Sequence, residues 1–230
     1  DAYALVNPQR EADLETRADR HMAAVGVAWK LAQVLVSLLG GDAALVDDQL
    51  ELVALATVAD VAPLVGDNRI LVAEGLRRMS AEPATGAPDR RNRGLRALIR
   101  SASLDEKRLT AGRLGFTVAP RLNALGRVRQ AITGVELLLA EDDGTAMDLA
   151  VECNRANAER QELDRAILDE AKARLDAMDL DAARGIVLHG EGWEPGVIGI
   201  VASRIVELTH RPTFMIAVTA DGGARVGKGS

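Results

Sequence analysis

A change of rhythm near residue 185 constrains this chain more than any other feature. Upstream, apolar residues mostly return every three or four positions; downstream, the spacing becomes that of strands. The longest helical run covers about residues 145–178, with Leu149, Cys153, Ala156, Leu163, Ile167, Ala171, Leu175 and Met178 along one stripe. It is long enough to connect two domains. After "DLDAARG" the chain continues as strand "GIVLH", a glycine-rich turn, helix "PGVIGIVASRIVEL" and strand "TFMIAV". That order implies a parallel strand pair with a right-handed crossover, opening a second domain. The expected fold class is α/β.

The upstream part is read as helices. Residues 2–6 are β-compatible and "NPQR" is a turn. A core helix over 22–39 runs through Val25, Trp29, Leu31, Val34, Leu35 and Leu38 and stops at Gly40-Gly41. Asp48 and Glu51, three apart, have the form of a capping box for the next helix. Pro63 pushes Ala62 out of helical geometry, so this helix should end near Asp60 and Val61. A further helix spans 68–79, and "SAEPATGAPDRRNRG" is a surface loop.

Asp60 is the odd residue of the apolar run "LVALATVADVAPL". A carboxylate at the negative end of a helix dipole, in apolar company, calls for a cation. Arg69 or a metal ion could supply it.

Charge is unevenly spread. Residues 77–129 hold 13 Lys and Arg against 4 Asp and Glu, a balance of +9 within a total of −6, so the remainder carries −15. Such asymmetry fits either a surface facing a polyanion or arginines coating solvated helices. Within this part, "PRLNALGR" combines a helix-breaking Pro120 with Arg121, Asn123, Gly126 and Arg127. Arginine's fork of donors suits phosphate oxygens. A helix–loop–helix joint held by hydrogen bonds would use the same residues. Likewise Gly192, Gly196 and Gly199 suit an anion at a helix N-terminus, or close helix–sheet packing.

Other chemistries are excluded. "GGARVGK" fails as a phosphate-binding P-loop, because Gly229 stands where Ser or Thr should hold magnesium. His21, His189 and His210 have no metal spacing, and Cys153 has no partner for a disulfide. No run approaches the roughly 18 apolar residues of a membrane span. The expectation is a cytoplasmic protein without a membrane partner. "DAYALVNPQR" opens without Met and "ARVGKGS" stops in mid-turn, so the chain is expected to be a fragment.

Seven stretches in order, "ALVNPQR", "AAVGVAWKLAQVL", "LVALATVADVAPLVGDNR", "PRLNALGR", "NRANAERQELD", "GWEPGVIGIVASRI" and "GKGS", resemble the RecJ family of single-strand-specific DNA exonucleases, in the DHH phosphoesterase superfamily. The resemblance covers nearly the whole chain. It implies the C-terminal part of a DHH-type parallel-sheet domain over 1–142, a connecting helix over 143–180, and the start of a DHHA1 nucleic-acid-binding domain over 181–230. It implies 5′-to-3′ hydrolysis of single-stranded DNA to mononucleotides at a two-metal Mn²⁺ or Mg²⁺ site, in repair and recombination, with other proteins of those processes as partners.

By the same resemblance, Asp60 is a catalytic metal ligand. Arg121, Asn123 and Arg127 lie near the phosphate path, and Gly227, Gly229 and Ser230 form a DNA-binding turn. The family's other ligands, including its Asp-His-His, precede the first matching stretch, so the fragment is expected to be inert by itself. Glu194 departs from the His that the family commonly places after the Trp. The rival readings are a phosphodiesterase of the same superfamily acting on oligoribonucleotides or cyclic dinucleotides, and a non-catalytic nucleic-acid-binding relative.

Overall fold

The computed structural model describes residues 6–9, 20–82, 85, 89–180, 182–221 and 224–230. The expected strand at 2–6 falls almost wholly outside them, as does part of the loop after residue 80. The chain divides into two compact units: Asp1–Arg121 with Thr133–Glu152, and Leu122–Ile132 with Cys153–Ser230.

Among the described residues the first unit is helical: α1 (Ala24–Leu38), α2 (Ala44–Asp47), α3 (Leu50–Ala59), α4 (Gly66–Ser80), α5 (Arg93–Ser101), a 3-10 turn (Glu106–Arg108), α6 (Ala111–Arg113) and α8 (Ile132–Leu138). A π-helical stretch, Leu114–Val118, joins α6 to α7 (Ala119–Val128). At the centre stands α3, which is apolar nearly all round and so is buried by neighbours on several sides. Leu50 and Val53 meet Leu71 of α4, with Met22, Val25 and Trp29 packed over them. Gly75 makes the α3–α4 approach possible: a Cβ there would lie 2.4 Å from the Leu50 carbonyl oxygen.

Two local expectations fail here. Asp48 and Glu51 do not form a capping box: Gln49 precedes α3 in αR geometry, with no side-chain cap. A capping residue must be extended to turn its oxygen onto the helix amides. Instead Asp48 faces Arg90 at 3.2 Å and Arg78 at 3.9 Å. Glu51 is buried and accepts a hydrogen bond from the Asn92 amide at 2.9 Å. Nor does Pro120 break the helix. It is the second residue of α7, and the π turn just before it relieves the clash a proline ring makes with the carbonyl four residues back.

The charged run is largely spent on structure. Arg91 and Arg96 converge on Asp89 at 2.9 and 2.5 Å and on Glu106 at 3.6 and 3.4 Å. Arg77 and Arg78 hold Glu74, Arg93 meets Asp143, and Lys107 meets Glu82. These pairs brace α4 internally and tie α5 to the loop before it, the 3-10 turn and Asp143, which answers much of the asymmetry without a ligand.

The long helix α9 (Asp143–Leu175) begins in the first unit and continues into the second. There the expected βαβ order is present: β1 (Ile186–Glu191), α10 (Ile198–Thr209) and β2 (Thr213–Asp221), with β1 and β2 parallel in the register Ile186↔Thr213. Ile186, Leu188, Met215 and Ala217 face Val201 and Ile205 of α10 and Ile167, Ala171 and Leu175 of α9 in one core. The C-terminal residues are not a turn. Ala224–Gly229 form β3, antiparallel to β2, because their amides continue its ladder. The chain is thus α/β: helices plus a small mixed sheet.

Candidate nucleic-acid interface

Asp60 is the C-cap of α3, as Pro63 suggests, but it is exposed to solvent. Water replaces the apolar company expected of it, so burial does not demand a cation. Among the described residues its carboxylate has no ion-pair or hydrogen-bond partner, Arg69 included. The turn beneath it is unusual. Val61 donates to the Val58 carbonyl at 3.1 Å and Ala62 to the Thr57 carbonyl at 3.2 Å, the double closure of a Schellman motif. That motif wants glycine at its left-handed position, yet Val61 sits there at φ 54, with 86% of its surface exposed. A β-branched side chain in this region costs about 1–2 kcal/mol. Asp60 is therefore presented by a strained turn.

A second locus lies in the C-terminal unit. Asn123, Gly126 and Arg127 of α7, Pro195, Gly196 and Gly199 around the start of α10, and Ser230 line an open cavity of about 480 Å³. Arg127 Nη1 donates to the Gly196 carbonyl at 2.9 Å, which fixes the guanidinium at the rim. Ser230 exchanges two backbone hydrogen bonds with Met215, at 2.9 and 3.0 Å, so its hydroxyl is anchored by the sheet. Gly196 and Gly199 are tight for packing reasons: a Cβ would lie 2.3 Å from the Arg127 carbonyl oxygen in one case and 2.7 Å from Ser230 Oγ in the other. Close packing thus accounts for both glycines. The side chain of Glu194 accepts a hydrogen bond from the Gly196 amide at 3.3 Å and places a negative charge beside the hollow.

Asn123, Arg127 and Ser230 are thereby brought together. Gly227 and Gly229 are not: they lie on β3 opposite Val218 and Ile216, and the alternation of a strand turns them to the face away from Ser230. A Cβ on Gly227 would meet Ile216 at 3.0 Å, so its smallness serves sheet packing. Arg121, at the end of the first unit, donates to the Thr117 carbonyl one turn back, and burial lowers its pKa. Gly126 belongs to the "PRLNALGR" combination that the sequence singles out, whereas Pro195 is not assigned to the hollow by sequence and its signal is only adjacency to the glycines named beside it. Trp193 is an anchor: buried, it donates to Glu170 at 2.7 Å and lies under Arg174 at 5.3 Å. Among the described residues no group of three or more His, Cys, Asp or Glu could hold a metal, and no helix is long and apolar enough to cross a membrane.

No family model matches the chain. Curated relatives do. The single-stranded-DNA-specific exonuclease RecJ of Bacillus subtilis is 37% identical over 231 residues, covering 100% of this chain and 27% of the relative. The Escherichia coli protein of the same name is 35% identical, with 96% and 39% covered. Among solved structures, RecJ from Thermus thermophilus in complex with Mg²⁺ superposes with a TM-score of 0.74 at 36% identity, over 92% of this chain and 31% of that one. Exonuclease RecJ bound to manganese gives 0.71 at 40% identity, over 84% and 46%. The chain spans between about a quarter and two fifths of the length of these curated relatives. In sequence and in fold, the chain is homologous over nearly all of its length to a segment of the RecJ family of single-stranded-DNA-specific exonucleases.

Proposed function

We propose that this chain is the phosphate-gripping segment of a metal-dependent 5′-to-3′ single-stranded-DNA exonuclease of DNA repair and recombination, working in the cytoplasm. The observation that carries the reading is the hollow where Arg127, Asn123 and Ser230 converge at the start of α10. Arg127 offers a charged fork, Ser230 a hydroxyl and Asn123 an amide, a donor set suited to phosphate oxygens. The helix N-terminus adds the favourable end of its dipole. Gripping the terminal phosphate there orients the strand, and Arg121 would lie further along its path. Gly227 and Gly229 would act through the backbone of β3, leaving Ser230 as the side-chain contact of that segment.

Asp60 fits a Mg²⁺ or Mn²⁺ ligand in being an exposed, unpaired carboxylate, the hard oxygen donor these ions prefer. When bound, such ions activate water and stabilise the charge developing on the phosphoryl group. A two-metal site needs several ligands, so the 230-residue chain alone should bind DNA without cutting it. In domain terms, residues 1–142 would belong to a DHH-type domain, 143–180 to the connecting helix and 181–230 to DHHA1.

Two substitutions test the reading. In the full-length protein, Asp60→Ala should abolish hydrolysis of 5′-phosphorylated single-stranded DNA while leaving its affinity within about twofold; retained hydrolysis defeats the metal assignment. Arg127→Ala should weaken binding about tenfold or more, in line with loss of a charge-assisted phosphate contact. Unchanged affinity defeats the phosphate hollow.

A further inference from the structure

Three arginines stand on three elements of the C-terminal unit: Arg127 on α7, Arg160 on α9 and Arg204 on α10. Their neighbours show how they converge. Arg129, at the end of α7, reaches Glu159 at 2.6 Å, which brings that terminus beside Arg160. One turn further along α9, Asp164 takes Arg204 at 3.0 Å. Asn157, Arg160 and Asp164 are spaced to share one face of α9, and Arg160 donates to the Asn157 side chain at 3.1 Å.

The cluster is not self-satisfied. Glu159 is committed to Arg129, so along this face of α9 Asp164 is left to balance Arg160 and Arg204, while Glu194 stands beside the Gly196 that Arg127 holds. Asp164 is only 2% exposed, yet its Oδ1 has no hydrogen-bond partner among the described residues, and the same holds for the buried Nε of Arg160. The Arg160 Nε is a donor left over in a positively charged cluster, which an anion could satisfy, whereas the Asp164 oxygen is an acceptor that an anion cannot. Burial, with the repulsion of Arg127 and Arg204, lowers the Arg160 pKa, and Asp164 opposes the change. An anion would relieve this repulsion.

We propose that Arg160 and Arg204 form a second phosphate subsite beside the Arg127 hollow, taking the next phosphodiester of a single strand, with Asp164 as the residue that positions them. The proposal rests on the phosphate reading of the first hollow. A strand held at two successive phosphates has its direction and register set, which a single grip cannot do.

Thymidine 5′-monophosphate, with one phosphate, and the 5′-phosphorylated dinucleotide pTpT, with two, separate the subsites when titrated calorimetrically into the 230-residue chain. R160Q and R204Q should each weaken pTpT about tenfold, reduce its salt slope by about 0.7, and leave the mononucleotide within about twofold. D164N should act on pTpT in the same direction without weakening the mononucleotide. R127Q should weaken both ligands. Equal losses for the two ligands in R160Q and R204Q, or no loss for either, overturn the second subsite. Mononucleotide binding untouched by R127Q overturns the first hollow instead. Should R160Q fail to fold, R204Q and R160K carry the test; the retained charge in R160K should preserve the salt slope while affinity falls.

Discussion

Val61 occupies a position that backbone geometry reserves for glycine, and it does so on the surface. Val61→Gly relieves the left-handed strain but gives the unfolded chain more freedom, terms of about 1–2 and 0.5–1 kcal/mol respectively. The net expectation is a stabilisation of about 0.5–1 kcal/mol, read as a raised denaturant midpoint with an unchanged slope. If the strain serves to hold Asp60 in place, the same substitution should lower the metal affinity of the full-length protein. Glu194 presents the opposite case, a charge close to where an anion should bind. Glu194→Gln removes that charge and should tighten phosphate binding by about threefold, from the 0.3–1 kcal/mol a charge exerts at a helix N-terminus. A calorimetric titration with inorganic phosphate checks it.

At the scale of elements, Glu51 shows how one buried polar group ties helices together. Its carboxylate accepts from the Asn92 amide; the Asn92 side chain in turn caps α5 through the Leu95 amide at 2.8 Å and donates to the Leu138 carbonyl at the end of α8 at 2.8 Å. Glu51→Ala would orphan the Asn92 amide and loosen the cap, a loss of about 1–3 kcal/mol by chemical denaturation. Periodicity made most elements legible: α1, α3, α4, α9, β1, α10 and β2 follow from apolar spacing and from Pro63. It could not show that Pro120 is carried by a π turn, because that register leaves no mark on apolar spacing. Nor could it show β3, whose Gly-Lys-Gly composition is poor in strand formers and which exists because β2 offers an edge. The hollow was half legible. Arg127 and Ser230 can be named from their stretches, but their convergence depends on how α7, α10 and the sheet pack, and so does the divergence of Gly227 and Gly229.

For the molecule as a whole, the ion pairs of the first unit contribute to the response to pH. Arg91 beside Asp89 holds its carboxyl down at about 2, and Arg77 and Arg78 do the same to Glu74. Depressed carboxyls contribute stability above their ordinary pKa and lose it as pH falls toward the folded value. Asp89→Asn should therefore cost stability above about pH 4, and its difference from the wild type should vanish near pH 2, followed by thermal melts. Burial raises the Glu51 pKa, so its sign is reversed: the folded protein keeps a proton the unfolded chain releases, and stability falls as pH climbs through that raised value.

The hollow draws its walls from residues 123–127, 195–199 and 230, stretches far apart along the chain. It can exist only once α7, α10 and the sheet have all docked, so it is among the last features a folding chain completes. Whatever binds there binds the finished unit and not the unfolded chain, and mass action makes the ligand a stabiliser in proportion to the logarithm of its concentration. A ligand held there would then take part in folding, and the melting temperature of the C-terminal unit would report how much of it is present.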